Sequence, residues 1–185
     1  IRKRTKPMVI AANKIDDPAA AENFADVAAD PAYDHLPIVP TSAHAEKALR
    51  TADEAGRVDY TPGDDDFALV DDVSEEQAAG LERIRSLLAD HGGTGVQSSL
   101  EAALFDALDL IAVFPGSDDG STSEEGSFRD CFLLPEGSTA EDFANRIHTD
   151  LGDGLLHGID CRSSRQIGSG HVLDDRDVIE LVTTT

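Results

Sequence analysis

Lys6-Pro7-Met8-Val9-Ile10-Ala11-Ala12-Asn13-Lys14-Ile15-Asp16 is an apolar run that breaks off into a polar tetrapeptide. The run reads as a buried strand, and its abrupt polar end places Asn13, Lys14 and Asp16 at the carboxyl edge of a sheet, where open α/β folds bind ligands. Taken alone, the tetrapeptide is a weak signal that reads first as an ordinary turn, because Asn and Asp are common turn residues. A second stretch shifts the balance. Ile38-Val39-Pro40-Thr41-Ser42-Ala43 is another short apolar run, ending in Ser-Ala. The interval from Asn13 to Ser42 fits one strand-helix-strand unit.

Asn13-Lys14-x-Asp16 resembles the base-reading motif of the GTPase superfamily, and the chemistry of guanine requires these residue types. An aspartate accepts two hydrogen bonds, from the guanine N1 and N2 donors; an asparagine amide both donates and accepts; a lysine stem lies over the purine face. Adenine lacks that donor pair, so the aspartate discriminates. In GTPases a Ser-Ala loop supplies a backbone N–H to the guanine O6. The resemblance therefore implies Asn13, Lys14, Asp16, Ser42 and Ala43 as nucleotide-binding residues.

The chain has 185 residues, enough for one large or two small domains with real cores. It begins at Ile1, within a GTPase-like pattern, and is read as the carboxyl-terminal piece of a longer protein. No run approaches the roughly 18 apolar residues of a membrane span, and no signal peptide is visible, so a cytoplasmic protein without membrane attachment is expected. Fifteen Lys+Arg stand against 37 Asp+Glu, a formal net charge of −22. Such a balance normally argues against nucleic acid and adds self-repulsion. Here the acid is spread along the whole chain and the lysines are only Lys3, Lys6, Lys14 and Lys47, which looks like adaptation to a cytosol at molar salt. At about 1 M the Debye length is about 3 Å, so the repulsion is screened and the charge reports habitat rather than partner. Cys131 and Cys161 lie outside any CxxC or Cys/His cluster and read as reduced thiols, with no support for zinc.

Arg2, Lys3, Arg4 and Lys6 form the only dense basic run and read as a solvated lead-in to the first strand. Asp17-Pro18 opens a turn, and residues 19–29 read as a short Ala-rich helix with Phe24 and Val27 on one face. Further helices are expected at about 43–55, 74–90 and 94–110. The second of these opens with a Ser74-Glu75-Glu76-Gln77 capping box, and His91-Gly92-Gly93 closes it. That glycine-rich stretch lacks a following Lys-Ser/Thr and is not a phosphate-binding loop. Residues 57–73 read as a solvated loop, whose neighbouring Asp64, Asp65 and Asp66 do not follow EF-hand spacing. From Ile111 the pattern becomes β-rich: a strand over 111–115, a Gly/Ser/Asp/Glu loop over 116–126, a strand over 131–134 and a helix capped by Ser138 or Thr139 that runs to about Leu151. Short strands then follow at 155–159, 166–167, 171–173 and 178–182. His148, His157 and His171 sit in separate elements without a ligand pair, and His148 is read as a helix-terminal hydrogen-bonding residue.

Phe132-Leu133-Leu134-Pro135-Glu136-Gly137-Ser138-Thr139, Ile147-His148-Thr149-Asp150-Leu151 and the closing Leu173-Asp-Asp-Arg-Asp-Val-Ile-Glu-Leu-Val182 resemble the TGS domain. This ubiquitin-like β-grasp module is found in threonyl-tRNA synthetases, RelA/SpoT enzymes and some Obg-like GTPases. Joined to Asn13-Lys14-x-Asp16 and Ser42-Ala43, the chain resembles the carboxyl-terminal half of the archaeal branch of the YchF/Obg-like GTPases. Tyr60-x-Pro62-Gly63-Asp64-x-Asp66-Phe67 and Gly93-Thr-Gly-Val-Gln97 fit that branch as well.

The resemblance implies an α/β plus α+β fold: the carboxyl-terminal part of a P-loop GTPase domain with added helices over 1–110, then a β-grasp TGS domain over 111–185. It implies GTP as ligand, with Mg²⁺ in the full-length protein, and a translation-associated switch whose TGS domain meets the ribosome or RNA. Bacterial and eukaryotic YchF proteins carry a glutamate-ended version of the tetrapeptide and favour ATP, which keeps ATP as the alternative nucleotide. In such proteins the P-loop, the switch threonine and the magnesium motif lie ahead of the position of Ile1. Phosphate and Mg²⁺ contacts carry the hydrolytic chemistry, so these 185 residues alone are expected neither to hydrolyse GTP nor to hold it tightly, and no catalytic residue is assigned. A competing possibility is a regulatory adaptor, in which the TGS module binds RNA, a small ligand or a partner protein without hydrolysis. For the ribosome-docking reading, Arg162 and Arg165 are the candidate phosphate contacts of the TGS module, unless they only solvate a hairpin.

Overall fold

A computed structural model describes residues 6–71, 73–116 and 130–184. The basic run at Arg2, Lys3 and Arg4 and most of the expected 116–126 loop lie outside the described residues. The chain forms two compact units that divide between Ala107 and Leu108.

In the first unit, β1 (Ile10–Asn13) leads into α1 (Pro18–Ala28), which Asp17 caps by accepting the Ala19 N–H and which begins on Pro18. Proline suits that first position because its missing N–H is one that the helix would leave unpaired anyway. After a short 3-10 turn at Pro31–Tyr33 comes β2 (Ile38–Thr41), parallel to β1 with Ile10 opposite Ile38 and Asn13 opposite Thr41. Ser42 then caps α2 (Ala43–Glu54). The expected loop over 57–73 contains a small hairpin, β3 (Val58–Asp59) against β4 (Ala68–Leu69). α3 (Glu75–His91) carries the expected capping box at Ser74 and Gln77, and Gly92 ends it at φ +71°, a left-handed conformation that glycine adopts without Cβ strain.

α2, the hairpin and α3 enclose one core of Leu49, Val58, Tyr60, Phe67 and Leu88, with Leu81, Ile84 and Leu87 packed against it. Arg85 clamps the hairpin onto α3. Its guanidinium lies 4.4 Å from the Phe67 ring centroid, its Nε donates to Asp66 at 2.9 Å, and a terminal nitrogen donates to the Phe67 carbonyl. Asp66, read from sequence as part of a solvated acidic loop, is thus a structural partner.

The expected helix over 94–110 is shorter. α4 (Val96–Glu101) passes into a π turn at Ala102–Asp106, in which the Ala107 N–H reaches back to the Ala102 carbonyl. Asp109 then takes φ +50°, and Leu110 already belongs to a strand. The apolar run from Leu110 to Phe114 is stabilised by pairing in a sheet, which overrides the helical spacing before it.

The second unit is a five-stranded mixed sheet: β5 (Leu110–Pro115), β6 (Phe132–Pro135), β7 (Leu155–Asp160), β8 (Arg165–Ile167) and β9 (Val178–Thr183), in the order β6-β5-β9-β7-β8. Only β5 and β9 run parallel, which is the β-grasp arrangement. α5 (Ala140–Ile147) lies across it and contributes Phe143 to a core with Val113, Leu134, Leu173 and Ile179; Phe143 meets Phe132 edge-on at 5.8 Å. The helix expected to run to Leu151 is interrupted at His148, whose φ of −161° is extended, and resumes as α6 (Thr149–Asp153). His148 Nδ1 accepts the Asp150 N–H at 3.2 Å, the terminal role read from sequence. The strand expected over 171–173 is only an isolated bridge between Thr139 and Val172. Leu173 is buried there while Val172 is exposed, so the segment anchors one side chain and pairs no further.

Thr139, not Ser138, caps α5, and it forms a capping box with Asp142. Thr139→Ala is expected to lower stability to urea by about 1 kcal/mol, read as a lower midpoint at unchanged m-value. The Thr139 N–H, with its hydroxyl, holds the Asp142 carboxyl below the usual range. A depressed folded pKa makes that contribution present above the unfolded value and lost as pH falls through the folded one. Asp142→Asn is expected to flatten part of the acid limb of stability below about pH 4.

Candidate functional site

The carboxyl ends of β1 and β2 place the five sequence-predicted residues side by side. Asn13 pairs in register with Thr41, and the Ile15 N–H donates to the Thr41 carbonyl at 3.1 Å, so the turn after β1 is bolted to the end of β2. Ile15 is buried, whereas Asn13, Lys14 and Asp16 are exposed. Lys14 has φ +71°, an uncommon conformation for a residue with a Cβ. The Lys14 N–H donating to Asn13 Oδ1 at 2.8 Å and the Asp17 N–H donating to the Lys14 carbonyl at 2.8 Å hold it there. Residues kept in such conformations cluster at ligand sites.

Two side-chain bonds join the loops. Asn13 Oδ1 accepts the Ala43 N–H at 3.1 Å, and Ser42 Oγ donates to Asp16 Oδ1 at 2.6 Å. Ser42 Oγ in turn accepts the Ala45 N–H, so a single buried hydroxyl caps α2 and orients Asp16. Asp16 Oδ2 has no hydrogen-bond partner among the described residues and is free to accept a second donor. The Ala43 N–H is not a vacant donor: a ligand carbonyl arriving there shares it with, or displaces it from, Asn13. The pair presents an acceptor-rich carboxylate beside the positive end of α2, a combination suited to a base with adjacent donors and a carbonyl.

Behind the loops lies a buried polar cluster that the sequence does not announce. Glu46 Oε2 accepts from Thr94 Oγ1 at 2.6 Å and from the Tyr60 hydroxyl at 2.9 Å, and Oε1 accepts from Arg50 Nε at 2.6 Å. Burial pushes the Glu46 carboxyl up, but the hydrogen bonds from Thr94, Arg50 and Tyr60 and the Arg50 charge outweigh it and hold the group below the ordinary glutamate range. Burial, then the bond to Glu46, pushes the Tyr60 hydroxyl up. Among the described residues no group of three or more His, Cys, Asp or Glu is arranged to hold a metal ion, and no helix is long and apolar enough to cross a membrane.

The family profile of the YGR210-like Obg-like GTPases, G4 motif-containing domain, matches residues 11–118. The chain belongs to this family of Obg-like GTPases. The TGS domain profile matches residues 118–183 of the same Obg-like chain. The first match runs through β5, which in the structure is an inner strand of the second unit's sheet. A GTP-binding protein of Methanocaldococcus jannaschii is 36% identical over 187 residues, covering 99% of this Obg-like chain and 47% of that protein. The crystal structure of a GTP binding protein from Pyrococcus horikoshii OT3 superposes with a TM-score of 0.70 at 32% identity, over 99% of this chain and 47% of that one. The Schizosaccharomyces pombe YchF GTPase shares the fold, with a TM-score of 0.53 at 15% identity over 96% of this chain and 43% of that one. The Obg-like chain thus spans about half the length of the relatives it matches.

Proposed function

We propose that the first unit is the base-reading part of a GTP site and that Asn13, Lys14, Asp16, Ser42 and Ala43 form it. The observation that carries this reading is the pair of cross-links between the loops, the Ala43 N–H to Asn13 and the Ser42 hydroxyl to Asp16, the second of which leaves the other Asp16 oxygen open to a donor. Asp16 takes the guanine N1–H and N2–H, the Ala43 N–H turns to O6, and the Lys14 stem covers the purine face. GTP is favoured over ATP because adenine offers no adjacent donors to Asp16.

The sequence contains no Gly-x-x-x-x-Gly-Lys-Ser/Thr, so phosphate and Mg²⁺ contacts are not supplied by the residues named above. The 185-residue chain alone is expected to bind guanosine monophosphate only at millimolar concentration. In an amide NMR titration GMP should shift Lys14, Asp16 and Ala43, and AMP should not. Equal shifts with AMP would contradict the base assignment, and micromolar nucleotide affinity in calorimetry would contradict the expected weakness.

In the full-length protein we infer a cytoplasmic, translation-associated nucleotide switch, with the TGS unit docking on the ribosome or another RNA-bearing partner. Arg165 is exposed at the start of β8, while an Arg162 terminal nitrogen donates to the Arg176 carbonyl at 3.1 Å, so Arg165 is the freer of the two to meet a phosphate. Co-sedimentation with ribosomes at molar KCl should weaken in the Arg162→Ala, Arg165→Ala double variant; unchanged binding removes both residues from this role. The net charge of −22 supports adaptation to high salt. The thermal midpoint is expected to rise between low and multi-molar KCl, and a flat response would contradict that origin for the charge.

A further inference from the structure

Ser42 is held by a closed ring of three hydrogen bonds. Its N–H donates to the Thr94 carbonyl at 2.8 Å, Thr94 Oγ1 donates to Glu46 Oε2 at 2.6 Å, and the Glu46 N–H donates back to the Ser42 carbonyl at 3.1 Å. All three residues are buried, at 0% for Ser42, 1% for Thr94 and 6% for Glu46. The turn carrying Thr94 lies tight against the end of β2. Gly95 at φ +78° packs its backbone against Pro40 so closely that a Cβ would lie 1.8 Å from the Pro40 carbonyl oxygen. Ser99 Oγ donates to the Gly95 carbonyl at 2.7 Å and lies 3.1 Å from Thr41 Oγ1. With its N–H and carbonyl fixed by the ring, Ser42 aims its hydroxyl at Asp16.

We propose that Thr94 and Glu46 are positioning residues for base selectivity: they act through Ser42, whose hydroxyl sets the rotation of the Asp16 carboxylate so that both oxygens meet the two donors of guanine. This rests on the guanine assignment above. Bidentate hydrogen bonding to a carboxylate depends on orientation, so a carboxylate free to rotate still attracts N1–H but loses the second, N2–H bond. The ring therefore governs discrimination between GTP and ITP, which lacks the 2-amino group, more than it governs overall nucleotide affinity.

The test uses the full-length gene product and the ratio of ITP to GTP dissociation constants, which is unaffected by the fraction of protein that is folded. Thr94→Val keeps the side-chain shape and removes the hydroxyl donor; Thr94→Ser keeps the donor and removes the methyl. Thr94→Val is expected to lower the ratio about tenfold and Thr94→Ser to leave it within about twofold. Tyr60→Phe removes another donor from the same Glu46 oxygen without opening the ring and is expected to retain the wild-type ratio. A wild-type ratio in Thr94→Val, or an equal fall in Tyr60→Phe, overturns the proposal. If the wild type does not itself prefer GTP to ITP and ATP, the failure lies in the guanine assignment, and the positioning role falls with it.

Discussion

Asp16→Asn in the full-length protein is expected to exchange a preference for GTP for a preference for XTP. The Asp16 carboxylate presents two acceptors, one of them also receiving the Ser42 hydroxyl at 2.6 Å. An asparagine amide presents one acceptor and one donor. Its oxygen can keep the N1–H bond and the Ser42 hydroxyl, but its N–H then faces the guanine 2-amino group, donor against donor. Xanthine carries a carbonyl at that position and accepts the same N–H. Hydrogen bonds to charged groups contribute about 1.5–3 kcal/mol each, and a donor left unpaired adds a penalty, so GTP affinity should fall by about 100-fold or more while XTP affinity rises. Affinity for GTP left unchanged by the substitution would remove Asp16 from the base site.

Gly95→Ala is expected to be the most destabilising small substitution in the first unit. The new Cβ would meet the Pro40 carbonyl oxygen at 1.8 Å and Thr41 Cα at 2.9 Å, both backbone atoms that cannot swing aside, at a φ of +78° that already disfavours alanine. Strain and overpacking together should cost about 3 kcal/mol or more. Gly92→Ala separates the two contributions. Gly92 has φ +71° but nothing within 4 Å of its ideal Cβ, so only the conformational cost of about 1 kcal/mol applies. Equal losses for the two variants in urea unfolding would show that the close approach at Pro40 carries no weight.

The elements whose signals are local were legible in the sequence. The strand that stops at Asn13, the capping box at Ser74 and the glycine stop at Gly92 each depend on residues within a turn of one another. The β-grasp order was accessible only through the resemblance, because pairing β5 with β9 joins strands far apart in the chain, and no periodicity encodes that partner. Helix ends depart from the local signal where a tertiary demand wins. Leu110 was taken into the sheet, and His148 broke the helix to cap the next one.

At the proposed site, the meeting of Asn13, Lys14, Asp16, Ser42 and Ala43 at two neighbouring strand ends was legible, and the residues behind them were not. Glu46 reads as one more exposed acid on an amphipathic helix in a chain with 37 of them, and Thr94 as filler between glycines. Only the folding of the 58–69 hairpin and of the turn after α3 over α2 brings Tyr60 and Thr94 to the same carboxylate oxygen. A clue was present in the spacing: Glu46 stands four residues before Arg50 and four after the cap at Ser42, on the face shared with Leu49 and Ala45 rather than the solvated one.

The most direct test of the base-reading assignment is a set of three dissociation constants for the wild-type full-length protein, for GTP, ITP and ATP, under identical salt and Mg²⁺. Loss of the 2-amino group removes one charge-assisted hydrogen bond to Asp16, and adenine removes the N1–H as well. The predicted order is GTP tightest, ITP weaker by about tenfold or more, and ATP weakest. ATP binding as tightly as GTP, or tighter, would contradict it.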